Sequence, residues 1–224
     1  MKIINWNVGR PTIAKGEKIL QKLKELNGDI VILTETNASI NLGTDYQLVS
    51  TPALPDGHDT FKYSVAKKEN RSSIWSKYPI LRTYPTCDEF TSVCADIETP
   101  FGVLTVYATI IGVDGGNKMF FNRDLNGQLS DFERLFPEKQ VCLVGDFNIT
   151  FTGRRYPSEL TREKMNDMFE TYSLNNLTSS IDGCVDHIAL GKEFLIAKHV
   201  KNGEVWNEDK SISDHFGVSI SITV

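Results

Sequence analysis

Apolar residues follow two different periods along this chain. The opening KIINWNV places Ile3 and Ile4 ahead of an alternating Asn5, Trp6, Asn7, Val8 pattern and predicts a strand. In the following AKGEKILQKLKELNGD, Ile19, Leu20, Leu23 and Leu26 recur at helical spacing on one face, and lysines occupy the other. Asn27-Gly28 is a suitable helix stop. DIVILTET is then a second apolar run, ending on Glu35. The order strand, helix, strand is an α/β signature.

From Tyr46 to Thr109 the pattern becomes short apolar runs between polar or proline-bearing turns: YQLVS, FKYSVAK, SSIWS, SVCADIE and GVLTVYAT. These predict hairpin-linked, largely antiparallel strands. Helical spacing returns from Asn122 to Phe136 through Leu125, Leu129, Phe132 and Phe136, and leads into the strand QVCLVGD. A second amphipathic segment around Thr161 to Leu174 places Met165, Met168, Phe169 and Tyr172 on one side, as core. The tail offers two more strands, CVDHIAL and HFGVSISITV. No repeat, low-complexity tract or long linker divides the chain, so residues 1–224 are read as one domain. The glycines of GVDGGN, Gly112 to Asn117, suggest a loop between strand and helix.

Composition narrows the class. At 224 residues one large core suffices, and no apolar run approaches the roughly 20 residues that cross a bilayer. MKIINWNVGR lacks the apolar core and cleavage site of a signal peptide, so a cytoplasmic location is expected. Cys87, Cys94, Cys142 and Cys184 are widely scattered, without the close pairs of a structural zinc site, and are read as reduced thiols packed as small apolar groups. The formal charge is −5, with no run of basic residues, which argues against strong sequence-blind attraction to a nucleic acid backbone. It does not exclude a nuclease, because a divalent cation among carboxylates brings its own positive charge.

The candidate chemistry lies at strand ends. VCLVGDFNIT is short, apolar and β-branched until Gly145, so Asp146 and Asn148 emerge at a sheet rim where the cost of burying a carboxylate is avoided. Asn7 follows KIINW, Glu35 follows DIVILT, Asp186-His187 follows GCV, and Asp214-His215 precedes FGVSISI. Together these are carboxylates, carboxamides and an imidazole able to converge on one rim. Hard oxygen ligands without a Cys or His cluster suit Mg²⁺ or Mn²⁺ better than Zn²⁺, and such an ion polarises a phosphate and stabilises its leaving oxygen.

The segments NWNV, LTET, GDFN, VDHI and SDHFGV, with SSIWSKYPI between them, resemble the endonuclease/exonuclease/phosphatase superfamily in order and approximate spacing, from one end of the chain to the other. The resemblance implies an α/β (α+β) four-layered sandwich: two mostly antiparallel sheets face to face with helices outside. It implies a Mg²⁺- or Mn²⁺-dependent phosphodiester hydrolase of the nuclease type; a monomer is expected. Glu35 would bind the cation with Asn7 in support and Asp214 in or near the metal shell; Asp146 would orient and deprotonate water, with Asn148 fixing water or phosphate. His215, steadied by Asp186, would hydrogen-bond phosphoryl oxygens. Tyr107 aligns with a tyrosine that some members aim at the phosphate, and equally fits a core tyrosine with a satisfied hydroxyl. His187 reads as a satisfied neighbour of Asp186, and His58 and His199 as surface residues.

Two departures bear on substrate. Ile110 stands where many members carry a phosphate-contacting histidine or asparagine, and Gly9 where abasic-site endonucleases usually carry an acid. Both weaken a duplex-repair reading. A phosphate ester, with nucleic acid foremost, is the expected substrate; a small-molecule or lipid-linked phosphate ester is the alternative, and a silent binding module of the same fold is a third reading. Trp75 and Trp206 are the aromatics to examine for exposure, with core packing the favoured role of each.

Overall fold

The computed structural model describes residues 1–55, 69–112, 118–154 and 156–224. Its elements are β1 (Lys2–Asn7), α1 (Ile13–Leu26), β2 (Ile30–Asn37), β3 (Gln47–Ser50), β4 (Glu69–Ser76), β5 (Ile80–Tyr84), β6 (Val93–Thr99), β7 (Gly102–Ile110), α2 (Lys118–Leu135), β8 (Val141–Asp146), α3 (Glu159–Thr171), β9 (Leu174–Asn176), β10 (Asp186–Gly191), β11 (His199–Trp206) and β12 (Gly217–Thr223). Among the described residues they form two sheets of six strands, ordered β11-β12-β1-β2-β4-β3 and β5-β6-β7-β8-β10-β9.

Each sheet is antiparallel except for one central parallel pair, β1 with β2 and β7 with β8, and a helix links the strands of each pair. Parallel neighbours need such a crossover. The amphipathic α1 supplies the first: Thr12 caps it by accepting from the Lys15 N–H, and Asn27 ends it at φ 51, its N–H donating to Leu23 O. α2 supplies the second.

Alternation along the strands makes the layers. Ile3, Ile32, Ile74, Ala108, Val144, Ile188 and Val218 fill the space between the sheets. The opposite face of the first sheet, with Ile4, Trp6, Val31 and Leu33, packs on Ile19, Leu23 and Leu26 of α1. The opposite face of the second, with Tyr107, Leu143 and Phe147, packs on Leu125 and Phe132 of α2 and Met165 and Phe169 of α3. Each buried aliphatic or phenyl group contributes about 1.5–3 kcal/mol. The result is the four-layered sandwich that the resemblance implies.

Three strands were not anticipated, the edge strands β5, β9 and β11. β5 is mostly exposed, β9 has three residues, and β11 is interrupted by a register shift between Asn202 and Val205, so none carries a clean alternation. α2 begins at Lys118, four residues before the predicted start, and α3 ends at Thr171, leaving Leu174 to β9. FKYSVAK, His58 and all of GVDGGN beyond Gly112 lie outside the described residues. All four cysteines are free; Cys94, Cys142 and Cys184 are buried as predicted, but Cys87 is exposed. It sits in the β5–β6 connection, where its backbone N–H is anchored on Asp131 Oδ2 at 2.7 Å. No helix among the described residues is long and apolar enough to cross a membrane.

One polar side chain crosses the inner layer below the rim. Asn5 points from β1 to the second sheet, and its Nδ2 donates to Gly145 O at 2.9 Å and His187 O at 3.2 Å. At Gly145, φ is 143 and a Cβ would collide with the Thr109 carbonyl oxygen, so glycine allows β7 and β8 to lie together just before Asp146.

Candidate active site

The β1 and β2 ends bring the first groups to the rim. Asn7 follows the buried Trp6, and its Nδ2 donates to Asp146 Oδ2 at 3.0 Å across the sheets. The Asn7 backbone N–H donates to Asp186 Oδ1 at 3.2 Å, while Asn7 Oδ1 accepts from the Gly9 N–H at 3.0 Å. Glu35 is turned out of the ladder: β2 pairs Thr34 with Ser72 and Thr36 with Asn70, and Glu35 between them has φ 50. Its Oε2 lies 2.9 Å from Arg10 Nη1.

From the second sheet come the paired ends of β8 and β10, where Asp146 lies directly opposite Asp186. Asn148 takes a left-handed turn at φ 51, which lets its N–H donate to Asp146 Oδ1 at 2.9 Å and its Nδ2 to Ile111 O at 3.0 Å and Asp146 Oδ2 at 3.2 Å. His187 steadies this turn from below. Its Nε2 is 2.9 Å from Ile149 O, which can only accept, so Nε2 holds the proton and Nδ1 faces Thr178 Oγ1 at 3.1 Å. Burial drives the His187 imidazole down to about 4, despite its bond to Ile149, so it is neutral.

The last group arrives on the turn before β12. Ser213 Oγ donates to Asn7 O at 2.7 Å and accepts from the His215 N–H at 3.2 Å, while Asn207 Nδ2 donates to the carbonyls of Ser213 and His215, each at 2.7 Å. So held, His215 Nδ1 meets Asp186 Oδ2 at 2.7 Å and Nε2 lies 4.0 Å from Asp146 Oδ2. Ligand atoms of Asp146, Asp186 and His215 all lie within 4.8 Å of one another.

The electrostatics follow from burying several acids together. Burial raises Asp146 most, His215 pulls it back, and Asp186 and Glu35 raise it again, leaving the carboxyl at about 7. At His215 burial opposes the charge, but Asp186 and Asp146 outweigh it and raise the imidazole to about 10. An imidazolium therefore stands beside a carboxyl that changes charge near neutrality. Asp146, Asp186 and His215 form the cluster whose ligand atoms lie close enough to share a cation, and Glu35 adds negative charge beside it, a setting of hard oxygen donors that suits Mg²⁺ or Mn²⁺.

Of the residues singled out in the sequence, Asn7, Asp146, Asn148, Asp186 and His215 are joined directly, and Glu35 is near enough to act on the Asp146 charge. Asp214 is exposed at the edge of this group. Gly9, at φ 61, passes so close that a Cβ there would sit 3.1 Å from Asp214 Oδ1. An acid at Gly9 would need both that left-handed backbone and room beside Asp214, which accounts for the glycine. Ile110 is buried beside Asp146 in the β7–β8 register.

Tyr107 is not brought to the rim. It is fully buried in the layer under α2, and its hydroxyl donates to Asp131 Oδ2 at 2.7 Å. Trp75 and Trp206 are buried against the α1 side, and the Trp206 ring meets Trp6 edge-on at 5.7 Å. Sequence reasoning missed Arg10, Glu69, Asn5 and Ser213. Arg10, three residues after Asn7 on the same turn, is the one whose position carried a signal.

The Endonuclease/Exonuclease/phosphatase family model matches residues 4–215. The chain belongs to this family. No curated protein matches it. Among solved structures, the endonuclease domain of TRAS1, a telomere-specific non-LTR retrotransposon, is 15% identical, with 98% of this chain and 96% of that one covered and a TM-score of 0.71. A 3'-5' exonuclease from Neisseria meningitidis is 16% identical, with both chains fully covered at 0.69. An AP endonuclease from Archaeoglobus fulgidus is 14% identical, again with full coverage of both chains at 0.69. At these identities the family members share the fold with this chain.

Proposed function

We propose that the protein is a divalent-metal-dependent phosphodiester hydrolase of the nuclease type. The observation that carries this reading is the Asp146–Asn7–Asp186–His215 constellation, in which the buried Asp146 carboxyl and the Asp186-bound His215 imidazole face one another across a 4.0 Å gap; burial raises the carboxyl and the neighbouring acids raise the imidazole. A proton acceptor near the working pH is what general-base activation of water needs, and a fixed cationic donor is what a phosphoryl group gaining charge needs.

Glu35, with Asn7 and Asp214, would hold the cation, which when bound polarises a phosphoryl oxygen and stabilises the leaving oxygen. Asp146 takes a proton from the attacking water as the new O–P bond forms in line with the breaking P–O bond. Asn148, whose Nδ2 is committed to Ile111 O and Asp146, keeps its Oδ1 for orienting that water. His215, held by Asp186, donates from Nε2 to a non-bridging phosphoryl oxygen. One product carries the phosphate and the other a free hydroxyl.

The net charge of −5 favours a second reading, an ester of a small or lipid-linked phosphate. Hydrolysis of bis(p-nitrophenyl) phosphate and p-nitrophenyl phosphate, each with Mg²⁺, Mn²⁺ or EDTA, separates the two. Metal-dependent diester cleavage that Asp146→Ala reduces by about 10²-fold or more supports the diesterase, and monoester preference supports the phosphatase. Activity surviving both EDTA and Asp146→Ala refutes the site.

A further inference from the structure

Beside the cluster lies a charged pair with no part in the chemistry above. Arg10 stands between two carboxylates: Nη1 is 2.9 Å from Glu35 Oε2, and Nε donates to Glu69 Oε2 at 2.6 Å. Backbone fixes this arrangement, since the Arg10 N–H donates to Glu35 O at 2.8 Å and both residues take the left-handed conformation, at φ 53 and 50. Glu69 is the first residue of β4, opposite Asn37. It is only 2% exposed, and Oε1 has no hydrogen-bond partner among the described residues.

A buried carboxylate with one oxygen unpartnered is costly, and an ion pair in such a place is weak evidence for stability. Its placement has an electrostatic consequence instead. A divalent cation arriving at Glu35 meets a guanidinium already on that carboxylate, and the two positive charges repel. Glu69 gives the guanidinium a second anion on the side away from Glu35.

We propose that Glu69 is a positioning residue for the metal site: it draws the Arg10 charge off Glu35, so that Glu35 keeps a carboxylate oxygen for a divalent cation. This rests on the metal-dependent reading above. Without Glu69, Arg10 falls back on Glu35 and becomes its resident cation. Without Arg10, no guanidinium competes with the ion at Glu35.

The test is Mn²⁺ affinity, measured by electron paramagnetic resonance and calorimetry on the whole chain without substrate. Glu69→Gln weakens binding by about three- to tenfold, and Arg10→Gln tightens it by a similar factor. In the double variant the Glu69→Gln effect shrinks to within about twofold, because no guanidinium remains to divert. Both single variants weakening binding, as general loosening of the site would cause, overturns the inference and leaves the hydrolase reading standing. No saturable Mn²⁺ binding by the wild type overturns both. Should Arg10→Gln fail to fold, Glu69→Asp decides: it keeps the charge and retains most of the wild-type affinity, whereas weakening equal to that of Glu69→Gln refutes the proposal.

Discussion

Replacing Asp186 by asparagine leaves two donors competing for one acceptor. In the native site Oδ1 accepts from the Asn7 N–H at 3.2 Å and Oδ2 from His215 Nδ1 at 2.7 Å. An amide has a single oxygen, so either the imidazole or the Asn7 N–H then faces an NH₂ group. The orphaned donor alone costs about 1–3 kcal/mol, and breaking a buried ion pair about 3–5 kcal/mol. With Asp186 neutral, burial of His215 is opposed mainly by Asp146, so the imidazole falls from about 10 towards the ordinary 6.5. The folded imidazole holds its proton more tightly than the unfolded chain does. The native pair therefore stabilises the fold in full below about pH 6.5 and ceases to do so as pH rises through about 10. Asp186→Asn loses that stability at neutral pH. Two assays read the change: an NMR titration of the His215 ring, and the pH profile of kcat for bis(p-nitrophenyl) phosphate. The expected result is a lower His215 titration, an alkaline limb displaced with it, and kcat at pH 8 reduced by about 10²–10⁴-fold. An unmoved limb with His215 still titrating near 10 refutes the assigned pair.

Two further outcomes follow from the same geometry. Because the Asp146 carboxyl is raised to about 7 from 3.8, ionising it costs folded stability as pH rises through that interval, and a bound cation offsets the cost. Mg²⁺ at 100 times its Kd should therefore raise Tm at pH 8 by about 5–10 °C, from roughly 2.7 kcal/mol of linkage, and by less at pH 5.5, where protons compete; equal shifts at both pH values would count against ligation by these acids. Tyr107→Phe removes one hydrogen bond to Asp131 while Arg134 and the Cys87 N–H keep theirs, so urea unfolding should show a loss of about 1–2 kcal/mol with kcat and KM within about twofold; a hundredfold fall in kcat would place the hydroxyl on the phosphate.

What the chain discloses depends on whether a residue's role is local. The α1 stripe of Ile19, Leu23 and Leu26, and the strand ends at Asn7 and Asp146, depend on neighbours a few positions away and are legible; Glu35 is no strand end, since β2 runs on to Asn37 and turns it out at φ 50, and Asp146 is buried rather than open to water. The edge strand β11 is not, since the shift between Asn202 and Val205 breaks its alternation. The case of Tyr107 is instructive. Its neighbours Val106 and Ala108 face the inner layer, and strand alternation alone turns its ring to α2, yet alignment with a phosphate-facing tyrosine of the resembled family makes it a site candidate until Asp131 is seen to take its hydroxyl. Glu69 is harder still, since the guanidinium that lets it be buried arrives from 59 residues earlier.

The Asn5 amide, bridging to the carbonyls of Gly145 and His187, sets how the two halves of the centre meet. Asn7 and Glu35 belong to one sheet and Asp146 and Asp186 to the other, so the spacing between the groups from β1 and β2 and those from β8 and β10 is set by how far apart the two sheets lie at that point. A swollen state that keeps its strands but lets the sheets glide parts Asn7 from Asp146 before any ladder melts. Turnover thus gauges interlayer dryness, and under mild denaturant it should vanish while far-ultraviolet ellipticity persists. Peripheral loops, which touch neither sheet's register, remain free to vary without disturbing how these groups meet.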